Sequence, residues 1–287
     1  MSGTAGGRLG GGVAAARRMF VLGHRGMLGH VVARYAAEMG WTVLTSEARY
    51  EGRARDPLIE DVRASGATAV INCLGLTKQR SDDRAALMMT NAVFPVQLAM
   101  RLDATQYLVH ASTDCVFAGT RGQYRIDDRC DAADAYGLSK ALGEGIARVP
   151  NVTVLRVSVV GPDQAGGRGL LAWFLRQPRD RPIPGYVNHR WNGVTTLEWA
   201  TIAVGYAAAF AAGWPVPRLT QPGTESGSKF DLLCAFRDAL ARDRCVAATQ
   251  GSEAVDRTLV PTDRRAPIRE QLARLAAWYP IDPGSHS

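Results

Sequence analysis

Short apolar runs alternate with segments of helical periodicity through the first half of the chain. The run at residues 19–22 ends at a glycine, and the run at residues 67–73 is apolar almost throughout, which is typical of strands buried on both faces. The pattern predicts strands at residues 19–22, 42–45, 67–73, 106–112 and 152–157, and helices at 30–38, 57–65, 82–103 (with a break near Pro95) and 134–148. Strands that alternate with helices predict an α/β fold with a doubly wound parallel sheet.

The pattern loosens after residue 161. Helices are predicted at residues 170–176, 197–212, 229–242 and 268–278, and loops at 164–169, 177–192 and 220–228. We therefore expect a first domain at residues 19–160 and a smaller C-terminal α/β substrate lobe at residues 161–287, and the two could interleave. Residues 1–18 are rich in Gly and Ala and are expected to form a flexible leader, with translation starting at either Met1 or Met19.

Composition and charge narrow the class of protein. The 287 residues are enough for one large domain with a lobe. The net charge is +7, but the arginines are scattered and not interleaved with aromatic residues, so no nucleic-acid partner is expected. No apolar run reaches the ~18 residues of a membrane span, so no membrane partner is expected. The five cysteines lack metal-ligand spacing and fit a reducing compartment, which predicts a cytoplasmic protein without a metal.

A glycine motif follows the first predicted strand and opens the first helix. Gly23 would permit a tight turn, Gly26 would let the backbone approach a pyrophosphate, and Gly29 would let helix and strand pack closely. The helix N-terminus would then hold the diphosphate of a dinucleotide. The predicted cofactor-binding residues from this loop and from the ends of the neighbouring strands are Gly23, Arg25, Gly26, Met27, Leu28, Gly29, Ser46, Asp56, Cys73, Leu74 and Gly75.

The end of the second strand bears on the type of dinucleotide. An acidic residue there would bind the free hydroxyls of an adenosine ribose, and arginines would suit a 2′-phosphate. Ser46 occupies the predicted position, Glu47 follows it, and Arg25, Arg49 and Arg53 are near in sequence. NADP(H) is favoured and NAD(H) stays open. Asp56 could accept a hydrogen bond from the adenine amine, or it could cap the helix that begins at Pro57.

Tyr136 and Lys140 lie four residues apart in a predicted helix, so their side chains would stand on one face. A free phenol has a pKa near ~10 and is a poor proton donor at neutral pH. A neighbouring ammonium is expected to lower that pKa and make Tyr136 a usable general acid. The pair, which would also contact the cofactor, therefore predicts protonation of a carbonyl oxygen that receives a hydride.

Together, the glycine motif, Ser112-Thr113-Asp114 at a strand end and the Tyr136/Lys140 pair resemble the extended short-chain dehydrogenase/reductases, in particular the dTDP-4-dehydrorhamnose reductase group. This resemblance implies a Rossmann sheet and NAD(P)H-dependent reduction of the C4 ketone of a nucleotide-linked 4-keto-6-deoxy sugar, for surface polysaccharide or O-antigen precursors. It also implies that Tyr136 protonates the ketone oxygen, Lys140 binds the nicotinamide ribose and Thr113 orients the ketone.

The substrate side is less closely defined. The predicted substrate-binding residues are Thr113, Asp114, Cys115, Arg190, Trp191 and Asn192, the last three because a cation beside an aromatic ring suits a nucleotide diphosphate. Val157 stands where rhamnose-forming reductases have an aromatic residue. The base (dTDP, UDP or GDP), the sugar, the product stereochemistry and the oligomeric state, including a homodimer, therefore stay open.

Two alternative functions follow from the same resemblance. The Gly-His-Arg-Gly-Met segment also resembles GDP-fucose synthase, an epimerase/reductase in which a cysteine at the position of Cys115 acts as a base. The histidine partner of that cysteine is not found near residues 168–171, and Cys115 could instead be a small buried residue. A non-catalytic, cofactor-binding regulatory subunit is the second alternative, which the intact Thr113, Tyr136 and Lys140 set disfavours.

Overall fold

The computed structural model describes residues 17–79, 81–164 and 169–281. The helices are α1 Gly29–Glu38, α2 Pro57–Ala64, α3 Arg84–Met88, α4 Phe94–Ala99, α5 Ala135–Gly143, α6 Leu170–Leu175, α7 Thr196–Ala211, α8 Lys229–Leu240 and α9 Ile268–Trp278. The strands are β1 Arg18–Leu22, β2 Thr42–Leu44, β3 Ala69–Asn72, β4 Tyr107–Ser112, β5 Val152–Arg156, β6 Val159–Val160, β7 Ile183–Tyr186, β8 His189–Trp191, β9 Val194–Thr195, β10 Leu219–Thr220, β11 Pro222–Gly223, β12 Gly227–Ser228, β13 Val246–Thr249, β14 Val255–Asp256 and β15 Asp263–Arg264.

A six-stranded sheet with the order β10-β5-β4-β3-β1-β2 forms the centre of the molecule, and all of its neighbouring strands are parallel. Alternate residues of each strand face opposite sides. In β1, Met19 and Val21 pack with α1 and α7, whereas Phe20 and Leu22 pack with α2 and α4. Apolar residues on both faces explain the continuous apolar runs, and the predicted doubly wound parallel fold is confirmed.

The predicted helix at residues 82–103 is real, but its irregularity lies elsewhere than expected. Met89–Val93 forms a π-helical turn between α3 and α4, and the helix then continues through Pro95. Proline is tolerated there because it lies in the first turn of α4, where its missing N–H is not needed. Of the predicted leader, residues 1–16 lie outside the described residues, and β1 already begins at Arg18.

The predicted loop at residues 177–192 is wrong. It contains β7, which pairs with β13, and β8, which pairs with β12 and β14. Each of these partner strands lies more than thirty residues further along the chain, so local sequence patterns could not reveal the pairing. The predicted loop at residues 220–228 likewise contains the two-residue strands β11 and β12. Part of the predicted loop at residues 164–169 lies outside the described residues.

The C-terminal part contributes elements to both regions of the molecule. β10 pairs with β5 as an edge strand of the central sheet, and α7 packs with α1 on one face of that sheet. A separate apolar core is built from α6, α8 and α9, around Phe174, Phe236 and Leu272. The domain boundary near residue 160 stays a prediction, and elements after it interleave with those before it.

Candidate active site

A cavity of about 730 Å³ opens at the carboxyl ends of β1, β3 and β4. The strand order reverses between β1 and β3, and ligands of open α/β sheets bind at such a point. The glycine loop lines one end, residues 73–79 follow β3, and Ser112–Cys115 follow β4. Tyr136 and Lys140 complete the wall from α5. The predicted cofactor and catalytic residues are therefore largely brought together in one cleft.

The glycine loop has the shape of a phosphate cradle. Gly23 has φ +74°, and a Cβ there would lie 2.9 Å from the amide nitrogen of Leu74. A Cβ on Gly29 would lie 2.2 Å from the carbonyl oxygen of Gly23, so only glycine lets α1 begin this close to the loop. Of the predicted loop residues, Gly23, Arg25, Gly26, Met27 and Leu28 line the cavity, while Gly29 supports the turn from behind. These features fit a dinucleotide diphosphate at the N-terminus of α1.

Charged side chains surround the end of the cavity beyond β2. Ser46, Glu47 and Arg49 line it, together with Arg25. The guanidinium of Arg25 lies 2.5 Å from the Glu47 carboxylate, and Nε2 of His24 lies 3.6 Å from it. Both an acid for ribose hydroxyls and cations for a 2′-phosphate are therefore present at this end of the cavity.

Asp56 does not line the cavity. It is 1% exposed, and its carboxylate accepts hydrogen bonds from the amides of Glu51 (2.7 Å), Gly52 (3.0 Å) and Leu58 (3.1 Å). These bonds make it the N-cap of α2 and tie down the preceding loop. The structure therefore supports the capping role and not the predicted contact with adenine. Cys73, Leu74 and Gly75 line the cavity, and their contact with the cofactor stays a prediction.

Thr113 and Tyr136 meet where β4 leads into α5. The Thr113 hydroxyl donates to Oδ1 of Asp114 (3.0 Å), accepts from the amide of Cys115 (3.1 Å) and is hydrogen bonded to the Tyr136 hydroxyl. Asp134 caps α5 by accepting from the amide of Gly137 (2.7 Å). A helix anchored in this way holds the phenol against the threonine at the cavity wall.

The protonation of this pair differs from the expectation. Burial raises the pKa of Tyr136, and the neighbouring Cys115 adds to the effect, while the hydrogen bond to Thr113 works against it. The ammonium of Lys140 donates to the carbonyl of Ala111 (2.6 Å), and burial lowers the pKa of Lys140 to about 8. The expectation that the pKa of Tyr136 lies below its ordinary value is therefore wrong for this structure, because desolvation dominates. Tyr136 consequently keeps its proton at neutral pH.

Asn91 fixes the position of α5, the helix that carries Tyr136 and Lys140. Its amide donates to Leu76 O (2.8 Å) and Ser139 Oγ (3.0 Å), and its Oδ1 accepts from Leu76 N (2.9 Å). It lies in the π-helical turn, and a Cβ on Gly143 would clash with its carbonyl at 2.2 Å. Asn91 on the helix after the third strand is one of the residues that carry the family resemblance, but the sequence does not identify its partners.

A buried ion pair stands behind the site. Glu144 and Arg156 are 8% and 3% exposed, with Nη2 of Arg156 2.5 Å from Oε2 of Glu144. Ser112 donates to the same carboxylate (2.6 Å), and Nη1 of Arg156 donates to Gln221 Oε1 (2.7 Å). The pair thus connects β4, β5 and the segment after α5 beside the cavity wall that carries Tyr136 and Lys140, and no role was predicted for it.

The predicted substrate residues divide into two groups. Thr113, Asp114 and Cys115 line the cavity. Arg190, Trp191 and Asn192, which lie in or directly after β8, do not line it.

Each residue of this second group has another partner. Trp191 is buried and donates to Ser158 Oγ (2.9 Å), whereas the exposed Arg190 contacts Ser226 Oγ (3.0 Å). Asn192 exchanges two hydrogen bonds with the backbone of Leu259. The prediction that these three residues bind the substrate is therefore not supported.

The described residues contain no helix long and apolar enough to cross a membrane. In the same part of the chain, no group of three or more His, Cys, Asp or Glu side chains is arranged to hold a metal ion. All five cysteines are unpaired.

Comparison with known proteins identifies the family. Residues 17–187 match the family described as RmlD substrate binding domain. The chain belongs to this family.

A dTDP-4-dehydrorhamnose reductase of Mycolicibacterium smegmatis is 32% identical over 152 residues, which is 50% of this chain and 46% of the relative. One of Burkholderia thailandensis is 28% identical over 199 residues, or 68% of this chain and 66% of the relative. The chain thus matches about half to two thirds of these relatives.

Solved structures share the RmlD-like fold. A dTDP-4-dehydrorhamnose reductase of Bacillus anthracis in complex with NADP superposes with a TM-score of 0.77 at 16% identity, covering 93% of this chain and 99% of that one. MoeE5 in complex with UDP-glucose and NAD gives a TM-score of 0.68 at 18% identity, covering 91% and 98%. At these identities the likeness establishes the fold.

Proposed function

We propose that this RmlD family member reduces the C4 ketone of a nucleotide-linked 4-keto-6-deoxy sugar with NADPH, and so supplies precursors of surface polysaccharides. The observation that carries the proposal is the position of Thr113, Tyr136 and Lys140 on one wall of a cavity whose other end is a phosphate-binding glycine loop. Two relatives that are both named dTDP-4-dehydrorhamnose reductase, and that align with half or more of this chain, support the proposal.

The side chains have complementary tasks in this reaction. A bound reduced nicotinamide would supply a hydride to the ketone carbon. Tyr136, which burial keeps protonated, donates its phenolic proton to the ketone oxygen as negative charge develops there. Thr113 exchanges its hydrogen bond to Asp114 for one to that oxygen when the substrate binds, and so shares the charge. Lys140, as a cation, stabilises the phenolate that remains.

The cofactor assignment rests on the end of the cavity beyond β2. Arg25 and Arg49 suit a 2′-phosphate, which favours NADPH, and the B. anthracis relative was solved with NADP. Glu47 keeps NADH open because it could accept from ribose hydroxyls. MoeE5, which was solved with NAD, supports retaining that alternative.

Two further features are part of the proposal. Unpaired cysteines fit a reducing cytoplasm, where reduced nicotinamide is available. Exposed apolar side chains lie on α4 and α5, which both pack against the π-helical turn Met89–Val93, and they support a homodimer through this face: Val96, Leu138 and Leu142 are among them. Sedimentation of the protein would test the dimer, because charged substitutions at Leu138 and Leu142 should yield monomers.

An epimerase that uses Cys115 as a base is less well supported. Burial raises the pKa of the Cys115 thiol to about 12, with the neighbouring Asp114 adding to the effect. A thiol with that pKa is protonated at neutral pH and cannot accept a proton. The geometry therefore favours simple ketone reduction.

Tyr136→Phe tests the proposed function. Loss of the phenolic proton should lower kcat for 4-keto sugar reduction about 100-fold or more, measured by nicotinamide absorbance. Tyr50→Phe is the matched control, because Tyr50 lies outside the cavity and donates to Gln97 (2.9 Å). Undiminished turnover in Tyr136→Phe, or an absence of turnover by the wild type on dTDP-, UDP- and GDP-linked ketones, would exclude the assignment.

A further inference from the structure

His30 is a buried histidine in the first turn of α1, directly behind the glycine loop. It is 7% exposed and does not line the cavity. Its Nδ1 lies 2.8 Å from the carbonyl oxygen of Gly26, and its backbone amide donates to the same oxygen at 3.2 Å. A carbonyl oxygen only accepts hydrogen bonds, so Nδ1 carries the proton. The ring therefore supplies the shorter of two hydrogen bonds to one peptide of the loop.

The protonation state of the ring agrees with this assignment. Nε2 is buried and has no hydrogen-bond partner among the described residues. Burial lowers the pKa of His30, and the hydrogen bond to Gly26 opposes that effect only in part. The imidazole is therefore neutral at neutral pH, and its single N–H is given to Gly26.

The segment after the C-terminal helix covers this ring. Tyr279 follows α9, and its ring meets that of His30 edge-on, with 5.4 Å between the ring centres. Arg34, one turn further along α1, donates to the carbonyl of Trp278 (3.0 Å), and its guanidinium lies 4.3 Å from the centre of the Trp278 ring. The cover is thus fixed to the helix that carries His30. It keeps water from the imidazole, and a hydrogen bond in such a place is stronger than one in water.

The direction of the Gly26 carbonyl decides where the next amide points. Gly26 C=O and Met27 N–H belong to one planar trans peptide, so the two bonds point in nearly opposite directions. A carbonyl held along α1 toward His30 aims the Met27 N–H out of the helix N-terminus, and Met27 lines the cavity. Two donors on the carbonyl oxygen also polarise the peptide, which makes this N–H a stronger donor.

We propose that His30 is a positioning residue for the cofactor, which holds the Gly26 carbonyl and thereby aims the Met27 N–H at the diphosphate of NADPH. The inference rests on the proposed function, which supplies the dinucleotide. Because His30 acts only through the loop, its effect is confined to the diphosphate. The end of the cavity beyond β2 and the proton transfer from Tyr136 are independent of it.

Two substitutions separate the N–H donor of His30 from its ring. His30→Phe keeps an aromatic ring against Tyr279 but cannot donate to Gly26, whereas His30→Asn loses the ring and keeps an N–H at the position of Nδ1. Fluorescence titration with NADPH should show about three- to tenfold weaker binding by His30→Phe, the effect of one hydrogen bond, and nearly wild-type binding by His30→Asn. In keto sugar reduction by His30→Phe, KM for NADPH should rise by the same factor while kcat stays close to the wild-type value.

Two controls distinguish positioning from a general loss of structure. Adenosine 2′-phosphate lacks the diphosphate, so His30→Phe and the wild type should bind it equally well in an NMR titration. Val32→Ala truncates a fully buried side chain on the same helix, away from Gly26. It should lower stability in denaturant unfolding and leave the affinity for NADPH unchanged.

Wild-type affinity for NADPH in His30→Phe would overturn the proposal. Equally weak binding by His30→Asn or by Val32→Ala would overturn it too, because the loss would then follow the ring or the stability and not the donor. If His30→Phe binds NADPH weakly and His30→Asn normally, but the wild type reduces no keto sugar, the positioning role stands and the proposed function fails. If keto sugars are reduced and His30→Phe binds NADPH normally, the positioning role alone fails.

Discussion

The ionisation of Lys140 offers the sharpest quantitative prediction. Three titratable side chains face its ammonium: Cys73 from the end of β3, His110 from β4, and Glu144 one turn along the chain. Burial raises the pKa of Cys73 and lowers that of His110 well below its usual value, so both are neutral at neutral pH. Glu144 is therefore the group among these three that opposes the effect of burial on Lys140.

Replacing Glu144 by Gln removes that charge and keeps the size of the side chain. Two unit charges about 6 Å apart interact by about 2.8 kcal/mol at an effective dielectric constant of about 20, which corresponds to about two pH units. Arg156 shares the same carboxylate and offsets part of this interaction, so we expect about one pH unit. Burial lowers the pKa of Lys140 to about 8 in the wild type. Reduction needs the cation, so activity should fall as pH rises through this value, and about one unit earlier in Glu144→Gln.

The assay is the pH dependence of kcat/KM for keto sugar reduction across the neutral and mildly alkaline range. Glu198→Gln is the matched control, because Glu198 is 4% exposed and paired with Arg265 (2.5 Å) and Arg274 (2.7 Å) away from the cavity. Glu144→Gln should lose stability on the order of 3 kcal/mol or more, since it leaves the buried Arg156 without its charged partner, whereas Glu198→Gln should lose less, because Arg265 keeps Asp263 and Arg274 is exposed. Only Glu144→Gln should shift the alkaline limb of the kcat/KM pH profile, and the shift should be toward lower pH. An unmoved limb, or equal movement in both variants, would refute the reasoning.

Three further predictions concern the cofactor end, the helix contact and the thiol. Glu47→Gln should release Arg25 and raise the affinity for NADPH relative to NADH about fivefold, as measured by fluorescence titration; an unchanged ratio would contradict this role. Gly137→Ala should lower stability by about 1–3 kcal/mol in denaturant unfolding, because its Cβ would lie 2.3 Å from Cys115 O, whereas Gly145→Ala, whose Cβ meets nothing within 4 Å, should be neutral. Cys115→Ser should retain reductase activity, and its loss would revive the epimerase alternative.

The parallel sheet and the cofactor loop could be predicted because their signals are local. A strand buried on both faces must be apolar at every position, as Ala69–Asn72 nearly is, and a tight strand-to-helix turn needs glycine at fixed places. The strands of the C-terminal part could not be predicted because each is only two to four residues long. Each forms by pairing with a strand that is distant in the sequence, and local patterns do not show that pairing. Pro184 and Gly185 within β7 even opposed the correct assignment.

The residues of the candidate active site also divide into those that local sequence predicts and those that only the complete fold reveals. Tyr136 and Lys140 follow from spacing along the chain and Thr113 from the family resemblance, whereas the contacts of Asn91 and Glu144 depend on which elements the fold brings beside them. Trp191 was chosen for its chemistry, but side-chain direction in β8 decides its environment, and local sequence does not reveal that direction. Burial raises the pKa of Tyr136, whereas the sequence predicted that it is lowered. Local sequence could not predict this shift, because desolvation depends on the complete fold.

Direct transfer of the reducing hydrogen tests the central claim. The protein is incubated with a nucleotide-linked 4-keto-6-deoxy sugar and NADPH deuterated at both C4 positions of the nicotinamide, and the product is analysed by mass spectrometry and NMR. Ketone reduction at the wall formed by Thr113 and Tyr136 predicts one deuterium at sugar C4, with its formation strongly slowed in Tyr136→Phe. Consumption of the ketone without deuterium at C4, or with deuterium at C4 at an undiminished rate in Tyr136→Phe, would contradict the account.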